Sequence, residues 1–293
     1  MAYLLMPFAS SLLYVFGALF LKEASTRGVG LWRITVVTNV AFGLVFSLLW
    51  LLGGQLPAPA LWFQPAVVAG LFLIGQVLAL VALQRGDVSV ATPVMGVKVI
   101  LVALFVTLFV GERVSVPMWT AAALSSAGIF FLSRGGSAPG GRGTGPALIF
   151  GALAAAAFAL FDALVQKWSP AWSTGRFLPI LMGFVALYSI VPTAFFWKRM
   201  KTIREGSGRP LVLGAILVAV QGVLLIGSVA HYGKATTINV VYSARGLWSV
   251  LAVWAVGHWF GNRERDLGAA VFRTRLFGAA LLLAAIVLVI VAR

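Results

Sequence analysis

The chain has 293 residues, of which 61% are hydrophobic and only 10% charged, and its mean hydropathy is +1.03. That balance excludes a soluble globular domain of this size and indicates an all-α polytopic membrane protein. A net charge of +15 would suit a nucleic-acid ligand, but the Lys and Arg residues gather in short connections beside apolar stretches, so the membrane surface accounts for them and no nucleic-acid partner is expected. The absence of cysteine leaves no disulfide framework and no thiolate metal site.

A hydrocarbon core about 30 Å thick needs about 20 apolar helical residues to cross it. On that measure transmembrane helices are expected at 3–21, 32–52, 65–84, 90–110, 116–133, 146–166, 176–197, 211–231, 236–260 and 274–291. The first stretch lacks a basic leader and runs straight to Lys22 and a second span, so no cleaved signal is expected. Between the fifth and sixth spans, the segment from Arg134 to Gly145 holds six glycines and no apolar periodicity. Residues 135–145 therefore read as a linker between a first five-helix repeat, 1–134, and a second, 146–293.

Folding the sequence at this linker aligns Gln76 of span three with Gln221 of span eight, Gly86 with Gly233, and Lys98 of span four with Arg245 of span nine. The last two pairs share one offset, 233 − 86 = 245 − 98 = 147. A second echo relates Phe16 to Lys22 in span one with Phe161 to Lys167 in span six. Five spans per copy is an odd number, so the second copy must enter the membrane in the opposite sense, as in the inverted repeats of secondary transporters.

With these features in place, the chain resembles the drug/metabolite transporter superfamily in its ten-helix EamA-like form. The residues that carry the resemblance are the run Ala82-Leu83-Gln84-Arg85-Gly86-Asp87-Val88-Ser89-Val90-Ala91-Thr92-Pro93, then Gly111-Glu112-Arg113-Val114-Ser115, then the Trp119 helix ending near Gly128-Ile129. After span nine the chain departs from the family's short acidic turn, carrying the longer Gly261-Asn262-Arg263-Glu264-Arg265-Asp266. The resemblance implies a basket of helices in which spans one, three, four, six, eight and nine surround a central cavity. It also implies export as the usual direction, and it names no substrate.

Full charges inside a span are costly, about 2.5–3.5 kcal/mol on insertion scales, so intramembrane bases and acids are the first candidates for function. Lys98 and Arg245 each lie about nine or ten residues into their spans, roughly 12–15 Å along the helix from the nearer end, too deep to reach water easily. Facing a wet cavity, they would bind a carboxylate or phosphate, Arg through its two-pronged fork and Lys as a point charge. Alternatively, helix carbonyls or an acidic neighbour neutralise them. Asn239, Tyr242, Arg245 and Ser249 share a helical stripe in span nine, whereas the matching stripe of span four, Thr92, Met95, Lys98 and Val102, is more apolar. Each small polar group has helix packing as its competing role.

Asp162 is the carboxylate well inside a span. Beside Lys98 or Arg245 it is a counter-ion; in a dry site it would serve as a proton carrier. Gln76 and Gln221 suit hydrogen bonding either to substrate or to neighbouring helices, and Tyr14 is a further candidate on the cavity side of span one. His231 and His258 lack metal-ligand spacing, so no metal and no cofactor are expected. No nucleotide-hydrolysis motif and no nucleophile–base set occurs, which argues against an enzyme and against ATP-driven transport. Trp32, Trp50, Trp62, Trp168, Trp197 and Trp259 fall near span ends as interfacial anchors.

Two lines of reasoning disagree on orientation. The odd-numbered connections hold fifteen Lys and Arg residues against five in the even ones and the C-terminus, which places both termini outside by the positive-inside rule. The family resemblance implies both termini in the cytoplasm. The expectation is a secondary transporter of the bacterial inner membrane that carries a small anionic or zwitterionic metabolite by alternating access, with proton coupling and a homodimer left open. The alternatives are a lipid-headgroup flippase and a non-transporting membrane scaffold.

Overall fold

The computed structural model describes residues 2–85, 94–133, 144–200, 206–256 and 269–292. Among these residues all regular structure is helical. The helices are α1 (Ala2–Thr26), α2 (Leu31–Ser47), α3 (Phe63–Arg85), α4 (Lys98–Phe105), α5 (Val116–Ser133), α6 (Thr144–Trp172), α7 (Thr174–Met200), α8 (Gly208–Tyr232), α9 (Ala235–Tyr242), α10 (Arg245–Val256) and α11 (Ala269–Val291). Six described helical stretches are long and apolar enough to cross a membrane, and Lys98–Val110, Val116–Leu132 and Thr174–Ile190 are shorter apolar helices. This is a polytopic helical membrane protein. Gly86, Pro93, the 135–143 part of the linker, His258, Trp259 and the 261–266 loop lie outside the described residues.

Contacts divide the chain into two compact units, one of Met1–Leu73 with Val165–Gly233, the other of Ile74–Leu164 with Lys234–Arg293. Each unit thus draws helices from both halves of the sequence. In the first unit α1 packs along α8, and α2 along α7 and α8. Apolar faces are not what distinguishes partners inside a membrane, where lipid is as greasy as Leu, so polar bolts fix the pairings. The Ser10 hydroxyl of α1 lies 2.9 Å from the main-chain oxygen and 3.0 Å from Oε1 of Gln221 in α8. Asn39 Nδ2 of α2 donates to Ser189 Oγ of α7 at 2.7 Å, and Ser169 Oγ donates to the Ala230 carbonyl at 2.9 Å.

In the second unit α5 and α11 form the closest pairing. Their crossing depends on two glycines. A Cβ on Gly128 would stand 2.9 Å from the Gly278 carbonyl oxygen, and one on Gly278 would stand 2.7 Å from that of Gly128. Phe131 and Phe277 close the same seam edge to face, ring centres 5.0 Å apart.

The two spans that carry the bases are not the uninterrupted helices that periodicity alone predicts. Span nine is two helices, α9 and α10, separated by a turn at 243–244. Span four turns at 96–97 before α4 begins, and α4 then loosens into a π-helical turn, Val106–Val110, that ends on Gly111 with φ +80°. In span nine the cause is local: the Ser243 hydroxyl donates to the Val240 carbonyl at 2.6 Å, competing with the i→i−4 ladder. Apolar periodicity is blind to such a turn, because Ser243 keeps right-handed dihedrals, φ −60° and ψ −18°, and the apolar residues on either side stay on their faces.

Candidate functional site

The interrupted spans place each base at the first residue of a new helical segment, Lys98 opening α4 and Arg245 opening α10. Their turns are built alike. Val97 N–H donates to the Val94 carbonyl and Ala244 N–H to that of Val241, both at 3.1 Å. Val99 N–H meets the Gly96 carbonyl at 3.5 Å, and Gly246 N–H meets that of Ser243 at 3.0 Å. The regular ladder resumes through Leu101 N–H to Val97 and Trp248 N–H to Ala244, at 3.1 and 3.0 Å. Every residue in these three bonds is displaced from its counterpart by 147, the offset that separates Lys98 from Arg245. Tightened i→i−3 bonding at a matched step marks a shared local design.

Side chains then diverge. Lys98 Nζ sits 2.8 Å from Oδ2 of Asp162 on α6, and Asn239 Nδ2 on α9 donates to the same oxygen at 2.9 Å. Asn239 spends its second amide hydrogen on the Ala235 carbonyl, 3.0 Å away, which fixes the amide's orientation. Asp162 is only 2% exposed, while the Lys98 side chain keeps 17% of its surface. A carboxylate that buried needs paired donors, and it has an ammonium and an amide. Three helices, α4, α6 and α9, are joined at one oxygen atom.

Arg245 has a different neighbour. Its guanidinium carbon lies 4.7 Å from the centre of the Tyr242 ring, and Nη1 is 3.3 Å from the Tyr242 hydroxyl. Stacking on an aromatic face orients the planar fork. Tyr242 is buried and Arg245 half-buried. The stripe read from the sequence is therefore split by function of place: Asn239 turns to Asp162, Tyr242 and Arg245 meet across the turn, and Ser249 follows half-buried on α10.

The remaining candidates are distributed. Gln76, in the second unit, is half-buried next to Gly75, the glycine that lets α3 approach the Phe158 ring of α6; a Cβ there would lie 3.0 Å from it. Gln221 and Tyr14 belong to the first unit, where Gln221 is the acceptor for Ser10 on α1 and Tyr14 is half-buried in α1. His231 packs against the Tyr232 ring, centres 4.7 Å apart. Among the described residues no three His, Asp or Glu side chains gather as metal ligands would.

Sequence reasoning missed Ser243 and Ser125. Ser243 Oγ lies 3.3 Å from Ser125 Oγ, tying the α9–α10 turn to α5. The available signal was Gly96 and Ser243, two weak helix formers at the shared offset, each two residues before a base.

Comparison with known proteins supports the same reading. Residues 1–134 match the model of the EamA-like transporter family. Among solved structures 29 chains match, and one crystal structure aligns with a TM-score of 0.71 at 17% identity, over 98% of this chain and 96% of that one. At that identity the likeness establishes the fold, and it extends through the second half. No curated protein matches. Residues 1–134, just under half of the chain, carry the match to EamA-like transporters, a family of membrane transporters of the drug/metabolite kind.

Proposed function

We propose that the protein is a secondary exporter or exchanger that moves a small carboxylate- or phosphate-bearing metabolite, anionic or zwitterionic, by alternating access of two inverted five-helix repeats, 1–134 and 146–293. The observation that carries this reading is the duplicated turn, which delivers one base at the same step of each repeat. A base at a helix interruption inside the membrane has the form of a transporter ion site, where irregular backbone lines a cavity. Arg245 is the principal substrate contact, its fork presented by Tyr242. Lys98 is held by Asp162, whose role is counter-ion first and proton carrier second.

Thermal stabilisation of the purified protein by anionic, zwitterionic and cationic metabolites identifies the substrate class, since a ligand of the native state raises its apparent stability. Transport in vesicles then follows for R245A and K98A proteins that fold. Loss on the order of tenfold or more is expected for R245A; unchanged transport by both variants rejects the site. The deep burial of Asp162 also favours a second reading, a scaffold whose charges only specify helix pairing. Substrate-dependent stabilisation removes that reading. Reporter fusions at the C-terminus test the charge-based orientation, which places it outside; a cytoplasmic signal rejects it.

A further inference from the structure

In the first unit, the end of α1 and the start of α8 line an open cavity of about 580 Å³. Its lining combines two chemistries. Phe20 and Leu213 supply apolar wall, Leu213 being 49% exposed, while Arg27 and Arg209 supply positive charge and Glu23 one negative charge. Arg27 is not a loose surface arginine: Nη1 donates to the Gly206 carbonyl at 2.8 Å, and Nη2 is paired with Glu23. That clamp fixes the guanidinium at the cavity rim. Glu23 is committed to it, so the lining keeps a net charge of +1, and Lys22 stands exposed beside it in sequence.

The cavity also sits between the ends of two basic connections, Lys22 to Arg33 and Lys198 to Arg209, which contribute Arg27 and Arg209 to its lining. Both are odd-numbered connections and emerge on one side of the membrane. Basic pockets between helix ends at the membrane surface suit anionic lipid headgroups. We infer that this cavity holds the phosphate headgroup of an anionic phospholipid, with Arg27 and Arg209 on the phosphate and the acyl chain against Phe20 and Leu213. The volume falls within the roughly 300–1,000 Å³ of sites that enclose small ligands. A free phosphate would satisfy the arginines but would leave the apolar wall uncovered, which is why the lipid is the assigned occupant. This site is independent of Lys98 and Arg245, which belong to the other unit.

The test uses the delipidated full-length protein, with native mass spectrometry reading bound phosphatidylglycerol, phosphatidylcholine as the zwitterionic comparison, and inorganic phosphate as competitor. R27Q/R209Q should weaken phosphatidylglycerol binding by roughly 30-fold. The charge-matched K167Q/R113Q, altered at exposed positions outside the cavity, should bind as the parent protein does. A second variant changes no charge: Gly208 lines the cavity and a Cβ on it meets no atom within 4 Å, so G208L fits the backbone and takes up part of the lipid's space, and it should weaken retention of the lipid. Parental phosphatidylglycerol binding by R27Q/R209Q or by G208L overturns the assignment. Displacement of the lipid by inorganic phosphate alone also overturns it, in favour of a free-anion site.

Discussion

The turn that delivers Lys98 and the turn that delivers Arg245 are the same piece of backbone with different surroundings. Three hydrogen bonds recur at an offset of 147, yet one base meets a buried carboxylate and the other an aromatic ring. A second difference lies in the other helix of the repeat. Lys22 and Lys167 align spans one and six at 167 − 22 = 145, which maps Asp162 onto Gly17. A Cβ on Gly17 would lie 2.7 Å from a methyl of Val218, so α1 at that level is committed to close packing on α8 and has no room for a carboxylate. The duplicated backbone is preserved because it sets the path of the chain. The electrostatics are free to diverge because each needs only one nearby side chain.

Removing the carboxylate breaks the comparison most severely. D162A removes the counter-charge of an ammonium only 17% exposed, and the expected loss is about 3–5 kcal/mol in denaturant unfolding of the detergent-solubilised protein. K98M alone strands Asp162 and should cost a similar amount. The double variant should be markedly more stable than either single one, because an apolar pair has no charge to bury. Additive losses would mean that the two groups are not coupled. Next in size, N239A removes one of the two donors on Asp162 Oδ2 and should cost about 1.5–3 kcal/mol by the same measurement, the range for hydrogen bonds to charged groups. An N239A protein as stable as the parent would show that Lys98 alone satisfies the carboxylate.

Much of this was legible in the sequence, for physical reasons. Long apolar runs have one stable fate in a bilayer, so helices at 3–21, 65–84 and 211–231 reappear in α1, α3 and α8 with ends shifted by a few residues. Lys98, Arg245 and Asp162 stood out because charge in an apolar run is expensive whatever the tertiary structure. Partner choice was not legible. Whether Asp162 meets Lys98 or Arg245 depends on which helices adjoin, and Asn239 has the same helical spacing to Tyr242 whether it faces a ligand or a carboxylate. The interruptions escaped for a different reason: a turn with right-handed dihedrals shifts the helical path without changing the order of apolar and polar residues, so only the weak helix formers Gly96 and Ser243 betray it.

The smallest expected effect sharpens the comparison from the Arg245 side. R245K keeps the positive charge and removes the planar fork, so it loses the stacking on Tyr242 and the contact to its hydroxyl. For a half-buried pair this is worth about 0.5–1 kcal/mol, well below the cost of disturbing Asp162. Y242F separates the two components, since the ring and its quadrupole remain while the hydroxyl at 3.3 Å is gone. If stacking dominates, Y242F should be less destabilising than R245K, and the double variant should fall short of the sum of the two. If Y242F costs as much as R245K, the hydroxyl holds the guanidinium and the ring is incidental. In that case a polar contact positions Arg245 much as one positions Lys98, and the two turns differ less than their neighbours suggest.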